Sequence, residues 1–78
     1  MSGKITLKEL RQQQGVTQEV LAKRMHGKQA DVSKFESRDT WDVDSLARYI
    51  NALGGSMAVV VSLGGEEHTL IIPALEKK

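Results

Sequence analysis

Gln29, Ala30, Ser33 and Lys34 carry the spacing in this chain that could do recognition chemistry. On a helix, positions three and four apart share a face, so Ser33 and Lys34 would sit one turn beyond Gln29 and Ala30. The amide of Gln29 can bond N6 and N7 of adenine in the DNA major groove. Ala30 can pack on a thymine methyl, and Lys34 can either read guanine or hold a phosphate. A lone Gln at a helix start is by default a solvated side chain, so this reading depends on the elements around it.

No other grouping of reactive side chains stands out. The chain has no Cys, which excludes a disulfide framework, a thiolate metal site and a thiol nucleophile. His26 and His68 are the only histidines, and no His/Asp spacing suits a metal. There is no Gly-rich phosphate loop and no Ser/His/Asp order with a supporting signature. Gly54-Gly55 and Gly64-Gly65 read as a helix stop and a turn. A binding protein is expected, with no enzyme activity, no metal and no cofactor.

The elements that would position the four residues are short helices. Thr6-Leu7-Lys8-Glu9 reads as a capping box that starts a helix running to about Gln14 and stopping at Gly15, with Leu7 and Leu10 toward the core. Thr17 is suited to cap a second helix, Gln18 to Met25, with Val20, Leu21 and Met25 on its apolar face. After the break His26-Gly27-Lys28, a third runs Gln29 to Ser37 with Val32 and Phe35 apolar. Two short helices joined by a Gly-containing turn form a helix-turn-helix arrangement, whose second helix is the one offered to the major groove. Arg38 to Trp41 is a loop; Phe35 reads as core and Trp41 as a core or dimer contact. Asp42 caps a last helix, Val43 to Leu53, with Val43, Leu46, Ala47, Ile50 and Leu53 as its apolar stripe and Tyr49 expected to be half-buried.

The run T-Q-x-x-L-A-K-R-M followed by Q-A-x-V-S-K-F-E resembles the lambda-repressor-like, Cro-type (XRE) helix-turn-helix family, from Leu7 to Leu53. The following L-A-R-Y-I-N-A-L-G-G is similar to the subset found as antitoxins of the HigA and HipB kind. Two departures stand out. His26 stands where the family usually has Gly, with the turn glycine one place later at Gly27, and Lys28 stands where a small N-capping residue is usual. The resemblance implies a base-reading role at Gln29 and a phosphate contact at Gln18, with Thr17 and Lys28 as further phosphate candidates. It also implies a structural ion pair between Arg11 and Glu36. Asp31 is expected to support the start of its own helix rather than face DNA. The fold implied is mainly α: a lambda-repressor-like domain of four helices, followed by a C-terminal two-stranded β hairpin.

That hairpin is read from Met57-Ala-Val-Val-Val-Ser-Leu63 as one strand, Gly64 to Glu67 as a turn and His68 to Pro73 as the second strand. An isolated hairpin is marginal in water. Val59, Val61, Leu70 and Ile72 are therefore expected to form a dimer or partner surface, two hairpins pairing across a two-fold axis into a four-stranded sheet. Residues 1–54 would form the DNA-binding part and 55–78 the extension, within one compact domain. Met1 to Lys4 reads as a short mobile arm and Glu76 to Lys78 as a solvated tail.

A chain of 78 residues suits one domain with a marginal core, which favours a second copy or a partner. Net charge is only +1, but it is unevenly spread: residues 1–41 hold eight Lys or Arg against five Asp or Glu (+3), and residues 42–78 hold three against five (−2). The basic excess falls on the helix-turn-helix half, as phosphate contact requires. No signal peptide or membrane span is apparent, so a cytoplasmic location is expected. The expected function is a sequence-specific regulator that binds a double-stranded, roughly palindromic operator as a homodimer, with half-sites about 34 Å apart or a multiple of it. The alternative is an antitoxin that also binds and neutralises a cognate toxin protein.

Overall fold

Local capping chemistry sets most helix boundaries in the computed structural model, which describes residues 3–76. The elements are α1 (Leu7–Gln13), α2 (Gln18–Arg24), α3 (Gln29–Glu36), α4 (Val43–Ala52), β1 (Val59–Leu63), β2 (Glu66–Leu70) and α5 (Pro73–Glu76). The contacts fall into two units, one ending at Trp41 and the other beginning at Asp42. The expectations for Met1 and Ser2 in the leading arm, and for Lys77 and Lys78 in the tail, lie outside the described residues.

In the first unit, α1 begins with a complete capping box. The Glu9 amide donates to Thr6 Oγ1 (3.1 Å), and the Thr6 amide donates to Glu9 Oε1 (2.9 Å). The helix ends at Gly15, whose φ of 70° is left-handed and lets the chain reverse. Thr17 caps α2 by accepting from the Val20 amide at 3.1 Å. Helices α2 and α3 pack on each other. Val16, Leu21, Ala22 and Val32 supply the buried apolar side chains of this unit.

Three expectations need correcting here. Val20 is exposed, and Ala22 takes the buried place beside Leu21. Phe35 is only half-buried. Its ring faces Trp41 at a centroid distance of 6.2 Å, and the Arg38 guanidinium lies 5.1 Å from its centroid. Trp41 Nε1 donates to the Phe35 carbonyl at 2.8 Å, which ties the loop back to the end of α3. The turn between α2 and α3 also differs: His26 itself takes the left-handed conformation, with φ at 58°, while Gly27 does not. The displaced glycine does not take the left-handed position, and a Cβ-bearing residue occupies the place that glycine normally relieves.

In the second unit, Asp42 caps α4 by accepting from the Ser45 amide at 3.0 Å. Ala47 is buried and Tyr49 is fully buried, so the expectation of a half-exposed Tyr49 is corrected. Gly54, with φ at 92°, follows the end of α4. Strands β1 and β2 form a two-stranded antiparallel sheet pairing Val59 with Leu70, Val61 with His68 and Leu63 with Glu66. Gly64 and Gly65 both have positive φ (58° and 81°), as a two-residue hairpin turn demands. The second strand therefore starts at Glu66 rather than His68 and ends at Leu70 rather than Pro73. Pro73 opens the single turn α5, where its missing amide is no loss, instead of closing the strand. Helix α5 packs on α4.

Candidate nucleic-acid interface

The candidate surface is built outward from a buried cation. Arg11 is 6% exposed, and burying a guanidinium is costly unless it is paired and its donors are satisfied. Its Nε donates to Glu36 Oε2 at 2.7 Å, its Nη2 to Glu36 Oε1 at 3.3 Å, and its Nη1 to the Val16 carbonyl at 2.9 Å. This pair joins α1 to the end of α3 and also holds the α1–α2 turn.

Glu36 has capacity for a further donor, and Gln18 uses it: Gln18 Nε2 donates to Glu36 Oε1 at 3.1 Å. Gln18 Oε1 in turn accepts from Gln29 Nε2 at 3.3 Å. A continuous hydrogen-bonded chain thus runs from Arg11 through Glu36 and Gln18 to Gln29. It starts in the protein interior and ends on an exposed side chain at the first turn of α3. Such chains restrict rotamers that would otherwise be free, and so orient the amide at their end.

Gln29, Ala30, Ser33 and Lys34 are all exposed on α3. Thr17 and Lys28 are exposed at the N-caps of α2 and α3, and Gln18 is half-buried beside Thr17. The Thr17 hydroxyl accepts from the Val20 amide, which leaves its proton to be donated outward. Lys28 offers α3 no side-chain acceptor; instead Asp31 Oδ2 accepts from the Lys28 amide at 3.1 Å. The carboxylate therefore stabilises the start of its own helix.

Thr17, Gln18 and Gln29 share an open depression of about 470 Å³ with Lys8, Arg11 and Gln12. Lys8 and Gln12 did not stand out in the sequence. The signal that could have found them is helical spacing: Lys8 and Gln12 lie four residues apart on one face of α1, and Lys8 lies three residues before Arg11.

The proposed partner surface is dispersed along the hairpin. Leu70 is 46% exposed, while Val59, Val61 and Ile72 are half-buried. The more exposed apolar residues are Val60, Leu63 and Ile71, at 56%, 68% and 80%. Among the described residues no group of three or more His, Asp or Glu could hold a metal ion, and no helix is long and apolar enough to cross a membrane.

Comparison with known proteins places this geometry. The helix-turn-helix family model matches residues 7–60. A Mycobacterium tuberculosis protein that carries the antitoxin name HigA2 is 41% identical over 66 residues, a stretch covering 82% of this chain. The match spans 65% of that relative's length. Two solved structures are also similar. One is a HigA antitoxin described by induced DNA bending and unique dimerization, with a TM-score of 0.80, 32% identity, and coverage of 92% of this chain and 99% of that one. The other is the DNA-bound antitoxin HigA3, with a TM-score of 0.79, 32% identity, and coverage of 91% and 95%. A matched segment taking in α1 to α4, and a shared fold at this identity, make the chain a member of the lambda-repressor-like, Cro-type helix-turn-helix family, similar to the HigA antitoxins.

Proposed function

We propose that this chain is a sequence-specific DNA-binding transcriptional regulator that acts as a homodimer on a roughly palindromic operator, in the cytoplasm. The observation that carries this reading is the exposed face of α3, with Gln29 oriented by the buried Arg11–Glu36 pair through Gln18. Gln29, Ala30, Ser33 and Lys34 face the base edges, and Lys34 alternatively holds a phosphate. Thr17, Gln18 and Lys28 hold phosphates and set the register of the protein on the duplex. Residues 1–54 carry DNA recognition and residues 55–78 carry dimerisation. The two copies would place their α3 helices in major grooves about 34 Å apart, one turn of B-DNA, or a multiple of it. Repression is steric, by occupation of a promoter, and the role is one of binding rather than catalysis.

The likeness to proteins named as HigA antitoxins supports a second, compatible reading: an antitoxin that also binds and blocks a cognate toxin protein.

Fluorescence anisotropy with DNA from upstream of the protein's own gene, against scrambled DNA at two salt concentrations, tests the first reading. Binding that discriminates between the sequences and weakens with salt is expected. Binding that ignores sequence at both salts would overturn it. Co-expression with the product of the adjacent gene, followed by co-purification, tests the second.

A further inference from the structure

The end of α3 away from Gln29 carries a cluster that takes no part in the hydrogen-bonded chain from Arg11. Phe35, Arg38 and Trp41 meet there, all within the first unit. The Phe35 carbonyl accepts from the Arg38 amide at 3.3 Å and from Trp41 Nε1 at 2.8 Å. The Trp41 ring stands at 49° to the Phe35 ring. These contacts hold the Phe35 ring as a platform, and the Arg38 guanidinium lies over it, 5.1 Å from the centroid. Arg38 is exposed, and its side chain makes no hydrogen bond or ion pair among the described residues, not even with Asp39 beside it in the chain. A guanidinium carries five N–H donors in one plane. Here the ring restricts where that plane lies and every donor is left to solvent.

We propose that Arg38 binds a backbone phosphate of the duplex at the rim of the major groove, with Phe35 as its positioning residue. This rests on the DNA-binding reading above and adds a contact at the opposite end of α3 from Lys28. The placement follows from dimensions. The eight residues of α3 span about 12 Å. A recognition helix meets the base edges with its N-terminal residues, which carries its other end outward. That length exceeds the depth of the groove, about 8.5 Å, so the outward end reaches the phosphates. Lys34, in the last turn of α3, adds a second cation there. Arginine suits the place because its planar fork can lie on a ring and still offer two parallel N–H bonds to a phosphate, which an ammonium cannot. The structural alternative is that Arg38 only stabilises the end of α3, where the helix dipole favours a cation.

Anisotropy titrations of the full chain at several salt concentrations test it, with DNA from upstream of the protein's own gene and scrambled DNA. Arg38→Gln removes the charge. Binding to both DNAs is expected to weaken about tenfold, with the slope of log K against log salt shallower by about 0.9 and the ratio between the DNAs unchanged. Arg38→Lys keeps the charge but not the fork, and is expected to keep the slope while weakening both DNAs about two- to fivefold. Phe35→Leu removes the platform. It is expected to weaken binding about two- to fivefold beside Arg38 and to have almost no effect in the R38Q background. An R38Q protein with a lowered urea midpoint and an unchanged salt slope would show the structural role alone and overturn the proposal. Equal effects of F35L in the two backgrounds would overturn the positioning role of Phe35. Wild-type binding that does not respond to salt would overturn the DNA-binding reading itself. Far-UV circular dichroism checks that F35L folds; if it does not, the slopes and affinities of R38Q and R38K decide.

Discussion

Glu36 accepts hydrogen bonds from Arg11 Nε, Arg11 Nη2 and Gln18 Nε2, so its replacement by Gln should be among the most damaging single changes in the chain. It would leave the Arg11 guanidinium buried without a counter-charge, at a cost of about 3–5 kcal/mol, measurable by urea unfolding. Replacing both partners by apolar residues of similar volume should recover most of that loss, because the desolvation of the pair disappears with it. Gln29→Ala acts differently. The side chain is exposed, so stability should hold while operator discrimination falls by about 1–3 kcal/mol, read as the ratio of anisotropy-derived dissociation constants for operator and scrambled DNA. His26→Gly should raise stability by about 0.5–1 kcal/mol. Relief of the left-handed backbone at φ 58° outweighs the added freedom of the unfolded chain, and a shift of the urea midpoint to higher concentration checks it.

Capping residues were the most legible features at the level of the element. Thr6, Thr17 and Asp42 each bind an amide three residues ahead, and that chemistry depends only on neighbours in the chain. The box at α1 has a pH signature. The Thr6 amide, and then the Thr6 hydroxyl, hold the Glu9 carboxyl below its ordinary value of 4.5. A lowered folded value means that the stabilisation is present above about pH 4.5 and is lost as pH falls through the folded value. The stability difference between the wild type and E9Q should therefore be constant near neutrality and change only on the acid side, as melting temperatures from pH 7 to pH 3 would show. The hairpin was less legible. Glu66 and Glu67 look like turn residues in the sequence, but two consecutive positive-φ glycines complete the reversal and push both glutamates into the strand. Val20 is exposed and Tyr49 fully buried, against their helical spacing, because that spacing gives a face but not its width, and burial at a face's margin is decided by packing.

For the molecule as a whole, the proposed DNA binding draws on the charge distribution and on pre-organisation. In the proposed DNA-binding role, the +3 balance of residues 1–41 would supply the attraction to DNA, each phosphate neutralised contributing a slope of about −0.9 in log K against log salt. K28A should weaken binding to operator and scrambled DNA alike and flatten that slope by about 1, whereas Q29A should leave the slope unchanged. Titrations at several salt concentrations separate the two. The bridge from Gln18 to Gln29 has a consequence in time as well as in energy, because it is in place before any duplex arrives. A side chain held this way needs no ordering step after encounter. Stopped-flow association with operator DNA should then follow a single phase whose rate climbs linearly with DNA concentration. Gln18→Ala, which removes the bridge together with a proposed phosphate contact, should leave the encounter rate almost unchanged and shorten the lifetime of the complex.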